Sequence, residues 1–115
     1  MHVLHTIDNL YIESGGISTC TYDLLSGFNS LGINTDVVSL RNTSCKIVGD
    51  EKPWMKFLNS DIRTGFHYSR AMECFLKREA MYDLFHTNGV WLHCNHVTAK
   101  IARKKKKPYI ISPHG

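Results

Sequence analysis

The chain has 115 residues, of which 43% are hydrophobic and 21% charged, so it can form one domain with a buried core and is unlike disordered or membrane-spanning chains. Much of its net charge of +4 stands at residues 103–107 and is not spread over a face, which does not favour nucleic-acid binding. The four cysteines form no Cys-x-x-Cys pair and the N-terminus has no signal-peptide pattern, so we expect a reducing, cytoplasmic location.

The first part of the chain alternates between a strand, a helix and a second strand. The apolar run at 2–8 predicts the first strand. Gly15 and Gly16 follow it, and apolar residues then recur at three- and four-residue steps over 17–31, which predicts a helix. A glycine comes directly after this pattern, where a left-handed helix cap belongs. Residues 33–40, with two adjacent valines, predict the second strand.

The second part of the chain is less regular. Residues 41–66 show no clear period and receive no assignment. Helical spacing returns at 67–83, a short third strand is predicted at 83–88, and a helix is predicted at 92–107, where basic residues in the last turn complement the helix dipole. Pro108 cannot continue that helix and opens a fourth strand, whose centre "YIIS" is almost without polar side chains.

The predicted order β-α-β-α-β-α-β favours an α/β fold with parallel strands joined by crossovers. Right-handed crossovers and the commonest doubly wound arrangement predict a Rossmann-like sheet with strand order 3-2-1-4. The winding then reverses between strands 1 and 4, and ligands bind outside the carboxyl ends of strands at such a switch point. Two segments are expected to border it: the Gly15–Gly16 loop and the turn formed by Pro113, His114 and Gly115.

The fourth strand, 109–112, is an outer strand in this order. It carries no charge, proline or bulge signal that would protect a sheet edge. We therefore expect Tyr109, or Ile110 and Ile111, to contact water, and we expect the chain either to dimerise through this edge or to be poorly soluble.

Several residues of the chain have two open interpretations. Gly15 and Gly16 could form a phosphate site at a helix start or a tight turn that binds nothing. His114 could donate a hydrogen bond to a sugar or phosphate, or be an exposed turn histidine. Trp91 could stack on a sugar ring or cover the third helix. The basic residues at 103–107 could contact anionic lipid head groups or form a solvated helix end.

Three histidines raise the question of a metal site. His93 and His96 are three residues apart on a predicted helix, and His86 lies in the strand before it. No carboxylate or cysteine completes a ligand set with them, as a structural zinc site would require. We therefore expect no metal.

The segment "YDLFHTNGVWLHCNHVTAKIARKKKKPYIISPHG" (82–115) resembles the N-terminal domain of retaining glycosyltransferases of family 4, which have two Rossmann-like domains in the GT-B fold. In that family a strand reading Asp-x-x-His-x-His-Gly-x-Trp precedes a helix, followed by Pro-Tyr, two hydrophobic residues and Ser-Pro-His-Gly. The matching residues here are Asp83, His86, Gly89, Trp91, Pro108, Tyr109, Ser112, Pro113, His114 and Gly115. Asn88 stands where the family often has a second histidine, and an asparagine does not titrate.

The resemblance implies that residues 1–115 are a partial N-terminal domain of a cytoplasmic glycosyltransferase whose C-terminal nucleotide-sugar domain is absent. The whole enzyme would move a sugar from a nucleotide-sugar donor to a glycan or lipid-linked acceptor, without a metal or cofactor, and this chain alone would be inactive. Gly15 and Gly16 would face the donor diphosphate, and His114 would be the catalytic contact to the donor sugar. The acceptor-side candidates are Asn88, Gly89 and Trp91.

The alternative is a non-catalytic Rossmann-like module that binds a phosphate-bearing ligand or a partner chain. The enzyme interpretation expects a longer reading frame that contains two glutamates eight positions apart, as the family's second domain does. The glutamates of this chain do not have that spacing.

Overall fold

The computed structural model is an α/β sheet with helices on both faces. It describes residues 1–41, 45–61, 65–79 and 81–114. The elements in chain order are β1 (His2–Thr6), α1 (Gly16–Ser30), β2 (Asn34–Leu40), β3 (Met55–Leu58), α2 (Arg70–Arg78), β4 (Leu84–Asn88), α3 (His93–Lys104) and β5 (Tyr109–Ser112). A short 3₁₀ turn at Ile12–Ser14 precedes α1. No helix in these ranges is both long enough and apolar enough to cross a membrane.

The five strands form one parallel sheet in the order β3-β2-β1-β4-β5. The winding reverses between β1 and β4, because the chain moves outward from β1 to β3 and then returns to the other side of β1. The predicted α/β, Rossmann-like fold class with order 3-2-1-4 is confirmed, and a fifth strand extends it.

The identity of the third strand corrects the sequence interpretation. Met55–Leu58 lies in the unassigned stretch and pairs with β2, so the strand predicted third at 83–88 is β4 and lies beside β1. The strand at 109–112 is β5 and pairs with β4, so it is not next to β1. A four-residue strand with a lysine at its centre has no period to detect, and Met55 becomes buried only through packing against the rest of the fold.

Two separate cores hold the helices on the sheet. α1 covers one face, where Leu25 packs with Ile7, Leu10 and Val37. α2 and α3 cover the other face in a larger cluster. Its buried members are Leu4, Val38, Leu40, Met72, Phe75, Leu76, Tyr82, Phe85, Cys94, Val97, Ile101 and Ala102. Helices on both faces leave the carboxyl ends of the strands accessible for a site.

The helix predicted at 67–83 is shorter in the structure and begins at Arg70. The side chain of Ser69 accepts the N–H of Met72 at 3.1 Å, which is an N-terminal cap. His67 has a left-handed backbone with φ of 54°, so the helix cannot extend through it. At the other end, Glu79 is already extended. Ala80, which the prediction included, lies outside the described residues.

The strand β5 is the outer strand on its side of the described sheet. Ile110 is 46% exposed and Ile111 45% exposed, which confirms the expected contact with water. Association of two copies through this edge stays a prediction.

Candidate functional site

A cavity of about 360 Å³ lies at the carboxyl ends of the strands, next to the point where the winding reverses. Four parts of the chain form its walls: the chain after β1, His67 before α2, the turn after β4 with the start of α3, and the turn after β5. The switch point lies between β1 and β4, so the turn after β4 is closer to it than the expected Pro113–His114 turn. Both turns nevertheless contribute to the same cavity.

Most of the predicted site residues come together there. Asn88, Gly89, Trp91 and His114 line the cavity. Gly15 and Gly16 do not line it themselves, but they lie between Ser14 and Ile17, which do. Gly115, the last residue of the predicted turn, lies outside the described residues.

His114 and Asn88, predicted for opposite sides of the reaction, are hydrogen-bonded to each other. The Nε2 of His114 lies 3.1 Å from the Oδ1 of Asn88, and the Nδ2 of Asn88 donates to the carbonyl of Thr6 at 3.3 Å. Because Oδ1 can only accept, His114 donates through Nε2–H. The Nδ1 of a neutral His114 is then the ring nitrogen that can accept a hydrogen bond from a ligand.

Asn95 organises the turn after β4, and the sequence interpretation missed it. Its Nδ2 donates to the hydroxyl of Thr87 and to the carbonyl of Asn88, each at 2.9 Å, and its Oδ1 accepts the N–H of Leu92 at 3.1 Å. An asparagine at the third position of a helix that bonds back to the N-cap is a known capping arrangement. The three-residue spacing between Leu92 and Asn95 is the sequence feature that could have predicted this cap. The side chain of Asn95 also connects α3 to the end of β4.

Gly89 is required by this arrangement. Its φ of 101° is a conformation that only glycine adopts easily, and a Cβ there would lie 3.3 Å from the Oδ1 of Asn95. The turn after β4 is therefore closely packed against the start of α3.

The segment after β1 is ordered by a second asparagine. The Oδ1 of Asn9 accepts the N–H of Tyr11 at 3.1 Å and the hydroxyl of Ser14. The hydroxyl of Ser18 donates to the carbonyl of Asn9 at 3.1 Å. These bonds place the start of α1, and Gly15 with its φ of 76°, beside the cavity.

The glycines at the start of α1 are open to solvent. A Cβ at Gly15 or at Gly16 would meet no heavy atom within 4 Å. Its N-cap residue is Gly15, which has no side chain to cap the helix, so within the described residues the first N–H groups of α1 are suited to an anion.

Two histidines stack in the sheet below the strand ends. The rings of His5 on β1 and His86 on β4 lie 4.5 Å apart, and the Nε2 of His86 is 2.7 Å from the hydroxyl of Ser112. Burial, and then the charge of His86, lower the pKa of His5 to about 4. Burial, and then the charge of His114, lower the pKa of His86. His5 is therefore neutral near pH 7.

The three histidines considered for a metal do not converge. His86 is bonded to Ser112, whereas the Nδ1 of His93 accepts the N–H of Ser69 at 3.2 Å at the start of α2. His96 is exposed. Within the described part of the chain, no group of three His, Cys, Asp or Glu side chains could hold a metal ion.

One residue of the basic cluster at 103–107, Lys105, has a role in the fold. The ammonium of Lys105 donates to the carbonyl of Leu76 at 2.7 Å and to that of Glu79, so it caps the carboxyl end of α2. Contact of the remaining basic residues with lipid head groups stays a prediction.

Asp8 and His67 form a pair at the cavity that the sequence interpretation also missed. The Nδ1 of His67 lies 3.0 Å from the Oδ2 of Asp8, and both residues line the cavity. Asp8 ends the first predicted strand, but His67 is 59 residues away, so no local pattern connects them.

Comparison of the chain with family models, with curated proteins and with solved structures finds no match. The candidate site is therefore defined by its geometry and by its position in the sheet.

Proposed function

We propose that this chain is the first portion of a glycosyltransferase that moves a sugar from a nucleotide-sugar donor to a glycan or lipid-linked acceptor. The observation that carries the proposal is the cavity at the switch point. It brings His114, Asn88, Gly89 and Trp91 together beside the start of α1. These are the positions at which the motifs resembling family 4 glycosyltransferases imply donor and acceptor contacts.

The diphosphate of the donor would lie against the start of α1. Gly15 and Gly16 leave open space there, and the uncapped N–H groups of the helix favour negative charge. No cation is needed for this contact, because the helix terminus supplies both donors and partial positive charge.

The donor sugar would lie next to His114. Asn88 occupies the Nε2–H of this histidine, so Nδ1 is the ring nitrogen that would bond to the ligand. A neutral Nδ1 accepts a bond from a sugar hydroxyl, whereas a protonated Nδ1 donates one to the leaving phosphate.

The acceptor would enter on the side of the turn after β4. Trp91 is 79% exposed and offers an aromatic face on which a sugar ring can stack. Asn88 is buried and bonded on both sides of its amide, so it positions His114 and does not transfer a proton.

This chain would bind a donor weakly and would not turn it over. Transition-state stabilisation in a two-domain transferase needs groups from both sides of the cleft. Purified chain that transfers sugar from any nucleotide sugar at an enzyme-like rate would contradict this view.

Amide chemical shifts in ¹⁵N-labelled chain test the proposal directly. Titration with UDP-glucose and with GDP-mannose should move the amide signals of residues 14–17 together with His114, with a Kd of about 1 mM or weaker. Inorganic diphosphate should move only the signals of residues 14–17. Shifts confined to other surfaces, or no shifts with any nucleotide sugar, would count against the proposal.

A further inference from the structure

The carboxylate of Asp8 holds His67 in one orientation. Its Oδ2 lies 3.0 Å from the Nδ1 of His67 and also accepts the amide of Asn9 at 3.0 Å. A carboxylate at this position accepts, so Nδ1 carries the ring proton. Nε2 is then the nitrogen with a free lone pair when the imidazole is neutral.

Contacts of Asp8 and of the residues on either side of His67 fix the two segments that carry the pair. The carbonyl of Asp8 accepts the N–H of Leu40 at 2.8 Å at the end of β2. The neighbours of His67 are fixed to α3: the carbonyl of Phe66 accepts the N–H of His93 at 2.9 Å, and the ring of Tyr68 lies 4.6 Å from the ring of His93. Between them, His67 adopts its left-handed backbone.

The left-handed conformation of His67 has a physical cost. Non-glycine residues with positive φ are uncommon, and such positions concentrate at binding and catalytic sites. The surrounding contacts hold the residue in this conformation and direct its side chain to Asp8.

The pair stands where two cavities adjoin. Asp8, Asn9 and His67 line the cavity of about 360 Å³ and also a second one of about 190 Å³. The second cavity extends toward Arg41 and Ser60. The side chain of Asp8 is 14% exposed and that of His67 is 32% exposed, so the carboxylate is mostly covered while the imidazole remains accessible.

We propose that His67, held by Asp8, is a general base that accepts the proton of a hydroxyl group on a ligand in these cavities. A carboxylate-bound histidine with an accessible second nitrogen is the arrangement that removes protons from hydroxyl nucleophiles. The ligand class is a polyhydroxyl compound. The inference rests on the proposed function only in identifying this compound with the glycosyl acceptor.

The proton and electron movements of the step balance. The proton of the ligand hydroxyl moves to the Nε2 of His67, and the hydroxyl oxygen forms a bond with the electrophilic carbon of a second substrate, an activated ester of the acyl or glycosyl phosphate class. The bond between that carbon and its leaving group breaks, and the electron pair goes to the leaving group. Asp8 stabilises the imidazolium, which then releases its proton to the leaving group or to water. Asp8 is thus a positioning residue.

A transfer reaction on the chain itself tests the inference without a nucleotide sugar. Methyl α-glucoside serves as the hydroxyl compound and p-nitrophenyl acetate as the acyl donor, and acetylated glucoside is measured by mass spectrometry. His67→Asn and Asp8→Asn should each lower the rate of its formation about tenfold or more. Asparagine tolerates the left-handed backbone at position 67, so that variant should fold. His96→Asn, at an exposed histidine, is the matched control.

A second readout separates a base from a purely structural ion pair. In ¹⁵N spectra of the histidine rings, His67 should carry its proton on Nδ1, and Asp8→Asn should change this tautomer. Equal acetylation rates in wild type, His67→Asn and His96→Asn, or a wild-type His67 protonated on Nε2 instead, would overturn the inference. If acetylation of the glucoside depends on His67 but nucleotide sugars cause no amide shifts, His67 is a general base and the proposed glycosyltransferase function is wrong.

Discussion

The two segments that meet at the switch point differ in how completely their polar groups are satisfied. On the β4 side, Asn95 ties Thr87, Asn88 and Leu92 together, and Gly89 fits closely against it. On the β1 side, the start of α1 has no side-chain cap and open space above its glycines. Within the described residues, side-chain hydrogen bonds thus hold the β4 side together, whereas no N-cap side chain serves the first N–H groups on the α1 side. This contrast is the reason for proposing that the anionic part of a donor binds on the α1 side.

The largest expected change in the free energy of unfolding comes from removing the hydrogen bonds of Asn95 on the β4 side. Asn95→Ala leaves the buried hydroxyl of Thr87, the buried carbonyl of Asn88 and the half-buried N–H of Leu92 without their partner, and each buried group costs about 1–3 kcal/mol. The free energy of unfolding, measured with urea, should fall by about 4 kcal/mol. Thr19→Ala, at an exposed residue of the open side, should change it by less than about 0.5 kcal/mol. Similar losses in the two variants would contradict the comparison.

The histidines below the strand ends add a pH dependence. The pKa of His5 is lowered from 6.5 to about 4, so the unfolded chain binds a proton that the folded chain does not. Stability is fully present above pH 6.5 and is lost as the pH falls toward 4. At about 1.4 kcal/mol per unit, the loss approaches about 3 kcal/mol. Urea unfolding of wild type and of His5→Leu between pH 7 and 4 checks this. The variant should lose the part of the pH dependence that His5 contributes and keep the part that comes from His86, whose pKa is also lowered.

Glycine substitutions compare the two segments most directly. Gly89→Ala forces an alanine into φ of 101° and close to Asn95, so it should lower the free energy of unfolding by about 2 kcal/mol. Gly16→Ala meets no atom within 4 Å and begins a helix, so it should leave stability within about 1 kcal/mol of wild type or raise it. Thermal unfolding of the two variants gives the answer. A destabilised Gly16→Ala would show that this glycine serves the fold.

Periodic segments of the chain could be predicted and irregular ones could not. The spacing of apolar residues over 17–31 gave α1, and the apolar run at 109–112 gave β5 with its bounds. The strand at Met55–Leu58 was missed because four residues around a lysine carry no period. The predicted start of α2 at residue 67 was wrong, because Ser69 caps the helix and the left-handed backbone of His67 prevents it from beginning earlier.

The candidate site was predictable only where its residues follow a strand. Asn88 is the last residue of β4, Gly89 comes directly after it, and His114 lies in the turn after β5. Predicting the strands was therefore enough to place these three residues. The Asp8–His67 pair was not predictable, because it joins the end of β1 to a stretch without assignable structure. The hydrogen bond between His114 and Asn88 depends on the register of β4 with β5, which emerges only in the assembled sheet.

One pair of variants tests most directly whether the open glycines beside the cavity receive the diphosphate of a nucleotide sugar. Gly16→Ala and Gly27→Ala each add one methyl group to α1 at a position with no atom within 4 Å, but only Gly16 lies at the helix start beside the cavity. Binding of UDP-glucose and GDP-mannose to the folded chain is followed by amide shifts. For the nucleotide sugar that wild type binds, we expect Gly16→Ala to raise the Kd about tenfold or more. Gly27→Ala should bind it with the same Kd as wild type. Equal binding by the two variants would contradict the claim.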